Sequence, residues 1–542
     1  MKQYLESLIR QALAVLGIDP QAAEVRFDVP KIEAHGDFST NIAMTLAKRE
    51  KKNPRELAQA IINQMQNDPE IVSTEIAGGG FINFRFTPRY IAKQLSTVIN
   101  AGKNFGRSTG GTGRSVNVEW VSANPTGPLH AGHGRQVCIG ETISSLFEWT
   151  GWNVTREYYF NNAGNQMNNL GRSVYLRYLE LLGETVELEE GLYMGEYIRD
   201  IAQEILNEFH DAKRNEEISF FRKRGEQFCF ELIKDSLNHL HIHHDVFFNE
   251  DSLYHDGKIE EVVRALKEKN LAYEQEGAVW FRTSALGMEK DRVIVKSTGE
   301  PTYRLPDIAY HREKILRGYD LIVDIFGADH IATIPDVLAG VQALGYSTDH
   351  IKVVIHQMVS FVNQGAAVKM SKRSANVYSL NDLIDDVGAD AVRYFFVMRS
   401  VHSHLEFDLK LAQEQSENNP VYYLQYAHAR IASIIRFAES EGIDTRSEAN
   451  LQLLKTKAET DLIKYLLEFP EIIQSSAAAF EPHRLCTYLH EAATKFHKFY
   501  HECRVVTEDR ELTVARIALC VSAKHVLANG LAILGITAPE KM

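Results

Sequence analysis

The sequence predicts an α/β protein: a Rossmann-type parallel sheet domain with an inserted helical segment, an N-terminal α+β domain and a C-terminal all-α bundle. Three observations carry that expectation. Residues 115–160 read as strand, loop, helix and strand, apolar strand-like runs return at 321–326 and 353–355, and helical periodicity dominates from about residue 410. In the first of these, Val116, Val118 and Trp120 alternate as a strand does, and Ile139, Ile143, Leu146 and Phe147 recur at helical spacing. Gly151 supplies a C-cap and VTREYYF follows as the second strand. Such βαβ units build parallel sheets whose ligands bind beyond the carboxyl ends of the strands.

Residues 1–105 read as a small α+β domain. It has an amphipathic start (Leu5, Leu8, Ile9, Leu13, Val15), a polar loop at HGDFSTN, a helix over 54–65 and a strand at FINFRF. The run GRSTGGTGR, residues 106–114, has no apolar periodicity and reads as a linker. The sheet domain is expected over 114–375, with a helix-rich insertion at about 175–290 that includes the acidic stretch ELEE. A connecting stem follows over 376–412, then the bundle over 413–542. Tyr423, Tyr426, Ala427, Ile431, Ile434, Ile435 and Ala438 form one stripe of that bundle, Phe496, Phe499, Tyr500 and Cys503 a second, and Ile517, Val521 and Val526 a third.

The 542 residues are several times the ~100–200 of one domain. With 44% hydrophobic and 24% charged residues the composition is that of a globular protein. The apolar run near the start, residues 12–18, falls well short of the ~18 residues of a spanning helix, so neither export nor a membrane is expected. Five scattered cysteines, Cys138, Cys229, Cys486, Cys503 and Cys520, have no CxxC spacing, which fits reduced thiols in a cytoplasm and no protein metal site. A net charge of −13 argues against a protein that coats nucleic acid. Locally, however, residues 483–504 carry Arg484, Lys495, Lys498 and Arg504 against Glu491 and Glu502, a candidate RNA face.

Chemistry concentrates in two segments. ANPTGPLHAGHGR, residues 123–135, joins a strand to a helix N-terminus, where unpaired N–H groups and the helix dipole favour phosphate. His130 and His133 can donate to phosphate oxygens there, and Gly132, lacking a side chain, lets a base or ribose approach the backbone. VKMSKRSAN, residues 368–376, places Lys369 and Lys372 around a short turn that can close over a triphosphate and its leaving pyrophosphate.

With HAGH and KMSK in this order, the sequence resembles the class I aminoacyl-tRNA synthetases. VEWVSANPTGPLHAGHGR, REYYFNNAGNQ, PTYRLPDIAYH, GADHI, VGADAVRYFF and VYYLQYAHARI are similar to the arginyl-tRNA synthetase family in particular, over nearly the whole chain. The resemblance implies an enzyme that activates L-arginine with ATP and Mg²⁺ and esterifies it to arginine tRNA. His130, His133 and Lys372 would contact the ATP phosphates, Lys369 would support them, and Asp329 would line the adenosine site. A guanidinium is planar and offers five donors, so its pocket calls for carboxylates. By resemblance Tyr303 and Asp307, one helical turn apart, read it, Glu119 is the second acid, and Asn124 holds the amino-acid end. The domain at 1–105 would contact the tRNA elbow, and the bundle the anticodon, with Tyr426, Lys498, Tyr500 and Arg504 as candidate contacts. The chain is expected to be a monomer. Two departures stand out: Arg373 replaces the usual final serine of KMSK, and Asn162 stands where the family usually has aspartate. Two rivals stay open on the residues alone: another nucleotidyl transferase of the same superfamily, and an RNA-binding relative without catalysis.

Overall fold

A computed structural model describes all residues except 31, 66–67, 163, 188, 364 and 368–377. The N-terminal unit comprises α1 (Lys2–Val15), β1 (Phe38–Thr40), α2 (Ile42–Glu50), α3 (Pro54–Gln64), β2 (Ile71–Ala77), β3 (Phe81–Phe86) and α4 (Pro88–Ala101), with β3 between antiparallel β1 and β2. Leu5, Ile9 and Leu13 of α1 are buried as their spacing demands, whereas Val15 is exposed at the helix end. HGDFSTN is not a polar loop. Its Phe38–Thr40 is β1, and buried Asp37 accepts the Phe86 N–H at 2.8 Å and pairs with Lys464 of the bundle at 2.9 Å. Asp37 thus joins the two units.

The central unit begins with β4 (Ser115–Glu119), α5 (His133–Trp149), β5 (Asn153–Phe160), α6 (Asn165–Leu181), α7 (Glu196–Phe209), α8 (Ile218–His239) and β6 (Val246–Asn249). It continues with α9 (Asp251–His255), α10 (Lys258–Glu268), β7 (Ala272–Gln275), β8 (Ala278–Phe281), β9 (Arg292–Val295), α11 (Arg304–Leu316), β10 (Leu321–Gly327), α12 (Ile334–Leu344) and β11 (Ile351–His356). Parallel strands pair in the order β11-β10-β4-β5-β6. The chain leaves β4 toward β5 and β6 on one side and returns to β10 and β11 on the other. The crevice above the ends of β4 and β10 is therefore the switch point at which open α/β sheets bind ligands. The 175–290 stretch is helix-rich as expected, yet it also supplies edge strand β6 and the β7-β8 hairpin, on which β9 packs. Strands of four residues are too short for alternation to show in sequence.

After β12 (Val359–Asn363) and β13 (Ala366–Ala367) come α13 (Leu380–Val387), α14 (Ala389–Val397), β14 (Leu405–Asp408) and α15 (Leu409–Gln413). β14 pairs in parallel with β12, which ties residues 376–412 to the end of the sheet domain. The bundle is α16 (Pro420–Ser440), α17 (Lys457–Leu466), α18 (Phe469–Ala479), α19 (His483–Glu502) and α20 (Arg510–Leu534). By length and composition α20 could cross a membrane, but it is mostly buried as the core helix of the bundle. One continuous apolar core runs from α1 through the sheet to α20.

The run 106–114 is not a free tether. Arg107 stacks 4.3 Å over Trp149, Arg114 lies 4.1 Å over Trp152, and the Gly111 N–H donates to the Thr150 carbonyl at 2.8 Å. A Cβ on Gly111 would come within 2.2 Å of the Trp152 ring, so glycine serves close approach here rather than mobility. Gly111→Ala is expected to displace Trp152 and lower stability by about 1–3 kcal/mol, read as a lower urea midpoint. An unchanged midpoint would mean that the segment is undocked.

Candidate active site

The chain turns sharply off the end of β4. Val121 and Ser122 hold φ of 72° and 45°, a conformation that a β-branched residue adopts only when its surroundings enforce it. Those surroundings are specific. Ser122 Oγ donates to Glu119 Oε1 at 2.9 Å and accepts the Tyr159 N–H at 3.0 Å, while the Tyr158 and Tyr197 hydroxyls donate to the Ala123 and Thr126 carbonyls at 2.7 and 2.6 Å. The turn carries Asn124 over the sheet, where its amide donates to Gln166 of α6 at 2.5 Å.

The HAGH segment then starts α5, with Gly132 as N-cap. The rings of His130 and His133 stack at 3.5 Å, and a Cβ on Gly132 would sit 3.1 Å from the His130 ring. Burial, reinforced by His130 and His356, drives the His133 pKa down to about 3, and burial lowers that of His130. Both rings are thus neutral N–H donors at neutral pH. Lys369 and Lys372, with Arg373, lie outside the described residues. The segment just after them is tied to HAGH: Leu380 N–H donates to the Leu129 carbonyl at 2.7 Å and Ala131 N–H to the Tyr378 carbonyl at 3.0 Å.

Beneath α11 lies a row of acids that sequence reading did not anticipate. Glu157, Glu119 and Asp324 are register partners across β5, β4 and β10, and all three are buried. Lys314, 0% exposed, donates to Glu119 Oε2 and to Asp324 Oδ1, the latter at 2.6 Å. Arg317 grips Glu157 with two bonds of 2.8 Å, and Tyr310 adds a third at 2.8 Å. His311 faces the Asp307 carbonyl at 2.7 Å through Nδ1 and Asp324 at 3.1 Å through Nε2. Both ring nitrogens meet acceptors, so both carry protons. Burial opposes that charge on His311, but Asp324 outweighs it and raises the imidazole pKa. Burial likewise opposes the Lys314 ammonium, and Asp324, Glu119 and Glu157 more than offset it.

Glu119 is therefore held by Lys314 and Ser122 rather than open to a ligand. Tyr303 caps α11 and is 75% exposed, one turn from Asp307. The Asp307 carboxylate has no hydrogen-bond or ion-pair partner among the described residues. Burial, together with Glu119 and Asp324, raises its pKa to about 6, against His311 and His330. The acid that sequence reading missed is Glu250, just after β6 and 5% exposed, with the Tyr254 hydroxyl at 3.3 Å. Burial, with Asp307 and Asp251 adding to it, lifts Glu250 to about 7. The only signal in sequence was an acid directly after the strand-like FFN. Asn162 bridges Glu226, at 2.9 Å, and the Asp251 N–H, at 3.4 Å, so aspartate in its place would face a carboxylate. Asp329 sits on the 3-10 turn Ala328–His330 after β10, exposed and 3.5 Å from His330.

In the bundle, Tyr426, Tyr500 and Arg504 line one groove of about 920 Å³ with Arg430, Phe437 and Met542. Arg430 lies 4.8 Å over the Tyr426 ring and 5.3 Å over that of Tyr500. Lys498 does not line the groove; it faces Glu502 at 4.0 Å.

A parallel sheet with a helix N-terminus and paired histidines at its switch point, joined to a helical bundle, defines a class I tRNA synthetase. Residues 94–399 match the family model "tRNA synthetases class I (R), catalytic domain", residues 3–86 "Arginyl tRNA synthetase N terminal domain", and residues 424–542 "DALR anticodon binding domain". The arginine–tRNA ligase of Desulfotalea psychrophila is 49% identical over 97% of this chain and 96% of its own length. That of Pelodictyon phaeoclathratiforme is 47% identical over the full length of both. The arginyl-tRNA synthetase structure from Thermus thermophilus shares the fold with a TM-score of 0.76 at 20% identity, covering 100% of both chains. The chain belongs to the arginyl-tRNA synthetase family.

Lys314→Met would leave Glu119 and Asp324 buried without their shared cation, and is expected to cost about 3–5 kcal/mol in urea unfolding. Adding Glu119→Gln should restore a large part of that loss. A single variant as stable as wild type would show that the row is not charge-coupled.

Proposed function

We propose that this chain activates L-arginine with ATP and transfers it to the 3′-terminal adenosine of arginine tRNA, with Asp307 and Glu250 as the carboxylates that read the guanidinium. The observation that carries this reading is that buried Glu250 and half-buried Asp307, close enough for Asp307 to raise the Glu250 pKa, lack a cation partner among the described residues, in a domain that also carries a histidine-lined helix N-terminus. A planar cation with several donors satisfies both acids at once, and Tyr303 can cover its face. Glu119 serves this pocket at one remove, by fixing Lys314 and the Ser122 turn that presents Asn124 to the amino-acid end.

In the first step the arginine carboxylate attacks the α-phosphorus of ATP in line, forming arginyl-adenylate and releasing pyrophosphate. His130 and His133 donate N–H bonds to the phosphates, and the α5 N-terminus adds its dipole. Lys372, supported by Lys369, neutralises the departing pyrophosphate. Asp329 lines the adenosine. Mg²⁺ would come with ATP and would supply neutralisation of the phosphate charge. In the second step a ribose hydroxyl of the tRNA's terminal adenosine attacks the adenylate carbonyl, and AMP leaves.

The domain at 1–105 reaches the tRNA elbow, and the bundle groove takes an unstacked anticodon base between Tyr426, Tyr500 and Arg504. The five free, buried cysteines suit a cytoplasmic enzyme.

Glu250→Gln is expected to raise the KM for arginine about ten- to a hundredfold, the loss of one charge-assisted partner, while the KM for ATP stays within about twofold. An unchanged arginine KM would remove Glu250 from the pocket.

A further inference from the structure

His356 closes β11 and is 7% exposed. Its Nδ1 lies 3.2 Å from the Gln357 carbonyl oxygen, which can only accept, so Nδ1 carries the proton and Nε2 presents a lone pair. Arg135 of α5 donates to the same carbonyl at 2.6 Å and holds it in place. Nε2 is buried and has no hydrogen-bond partner among the described residues. An acceptor left in that condition is costly unless a ligand supplies a donor.

The place of this atom says which ligand. His356 is the register partner of Gly327 at the end of β10. A Cβ on Gly327 would lie 2.5 Å from Asp329 Oδ1 and 3.9 Å from His356 Nε2, so two acceptors converge over a residue with no side chain. His133 of α5, Arg135, Asp329 and His330 are the other titratable or charged groups around the ring. Burial lowers the His356 pKa and Arg135 adds to that, against the pull of Asp329, so the ring stays a neutral acceptor. Phosphates offer acceptors only and gain nothing here. Among the donors of a nucleotide, the ribose diol presents two adjacent hydroxyls, which match two convergent acceptors; the base amine is a single group.

We propose that His356 is a nucleotide-specificity residue whose Nε2 accepts a hydrogen bond from a ribose hydroxyl of ATP, beside Asp329. This rests on the reading above that the adenosine lies over Gly327 and Asp329.

The test is arginine-dependent ATP–pyrophosphate exchange by the full chain with arginine tRNA, comparing wild type, His356→Phe and His356→Asn. The nucleotides are ATP, 2′-deoxy-ATP, 3′-deoxy-ATP and purine riboside triphosphate, which lacks the base amine. Wild type should lose about tenfold or more in kcat/KM with one of the deoxynucleotides. His356→Phe should lose a similar factor with ATP and almost nothing further with that deoxynucleotide, while its response to the purine riboside matches wild type. His356→Asn, which keeps an acceptor oxygen, should recover part of the discrimination. Full discrimination against both deoxynucleotides in His356→Phe would overturn the assignment, as would a loss confined to the purine riboside. Indifference of wild type to both deoxynucleotides would overturn it too, and would place the fault in the adenosine reading rather than in His356.

Discussion

Three carboxylates in register across adjacent parallel strands can be buried only if three cations meet them. Glu157, Glu119 and Asp324 form that row, and α11 answers it with Lys314, the doubly bonded His311 and, at its C-cap, Arg317. An unpaired charge at such a depth costs several kcal/mol, so the helix cannot slide or rotate without breaking pairs that nothing else replaces. Because Asp307 belongs to the same helix, its position follows from this lock. Next to this balanced row, Asp307 and Glu250 have no cation partner among the described residues, and the proposed guanidinium pocket lies where the balance stops.

The nucleotide side follows from a second constraint. The positive φ values at Val121 and Ser122 turn the chain over the end of β4 and deliver HAGH to the start of α5. Ser122 bonds Glu119, a member of the acid row, so the strained turn and the charge lock share an anchor. Arg135, in the first turn of α5, bonds the carbonyls of Gln357 and Ser400 and thereby ties the helix to the segments that follow β11 and α14. Beyond the sheet, the Asp37–Lys464 pair and the Asn529 amide, which donates to the Gly102 and Phe105 carbonyls, join the N-terminal unit to the bundle. The units proposed to meet the tRNA elbow and the anticodon are therefore in direct contact.

The fold class was legible because long helices and the strands beside HAGH carry strong periodicity. Short elements were not: β1 hid in HGDFSTN, and β6 to β8 hid in a stretch that read as helical, since three or four residues cannot display alternation. The glycine-rich 106–114 run read as a linker, but composition alone could not show that its backbone is pressed against Trp149 and Trp152. At the site, the two histidines stood out at a strand–helix junction, whereas Tyr303 and Asp307 were named by resemblance to the family. Glu119 was named by resemblance as a second arginine-binding acid, but its partner Lys314 is 195 residues away in sequence, so that it is held internally could not be read. Glu250 and His356 follow no motif, and only the sheet brings them near the crevice.

Calorimetric titration of the protein with L-arginine near pH 6, in two buffers of different ionisation enthalpy, tests the central claim most directly. With Asp307 at about 6 and Glu250 at about 7, the free pocket holds protons that a bound guanidinium must expel. The sign follows: arginine favours the ionised carboxylates, so affinity climbs with pH through these values and levels off above them. The account predicts release of about one to two protons near pH 6, vanishing in mildly alkaline buffer. Binding that releases no protons and keeps the same affinity across that range would contradict it.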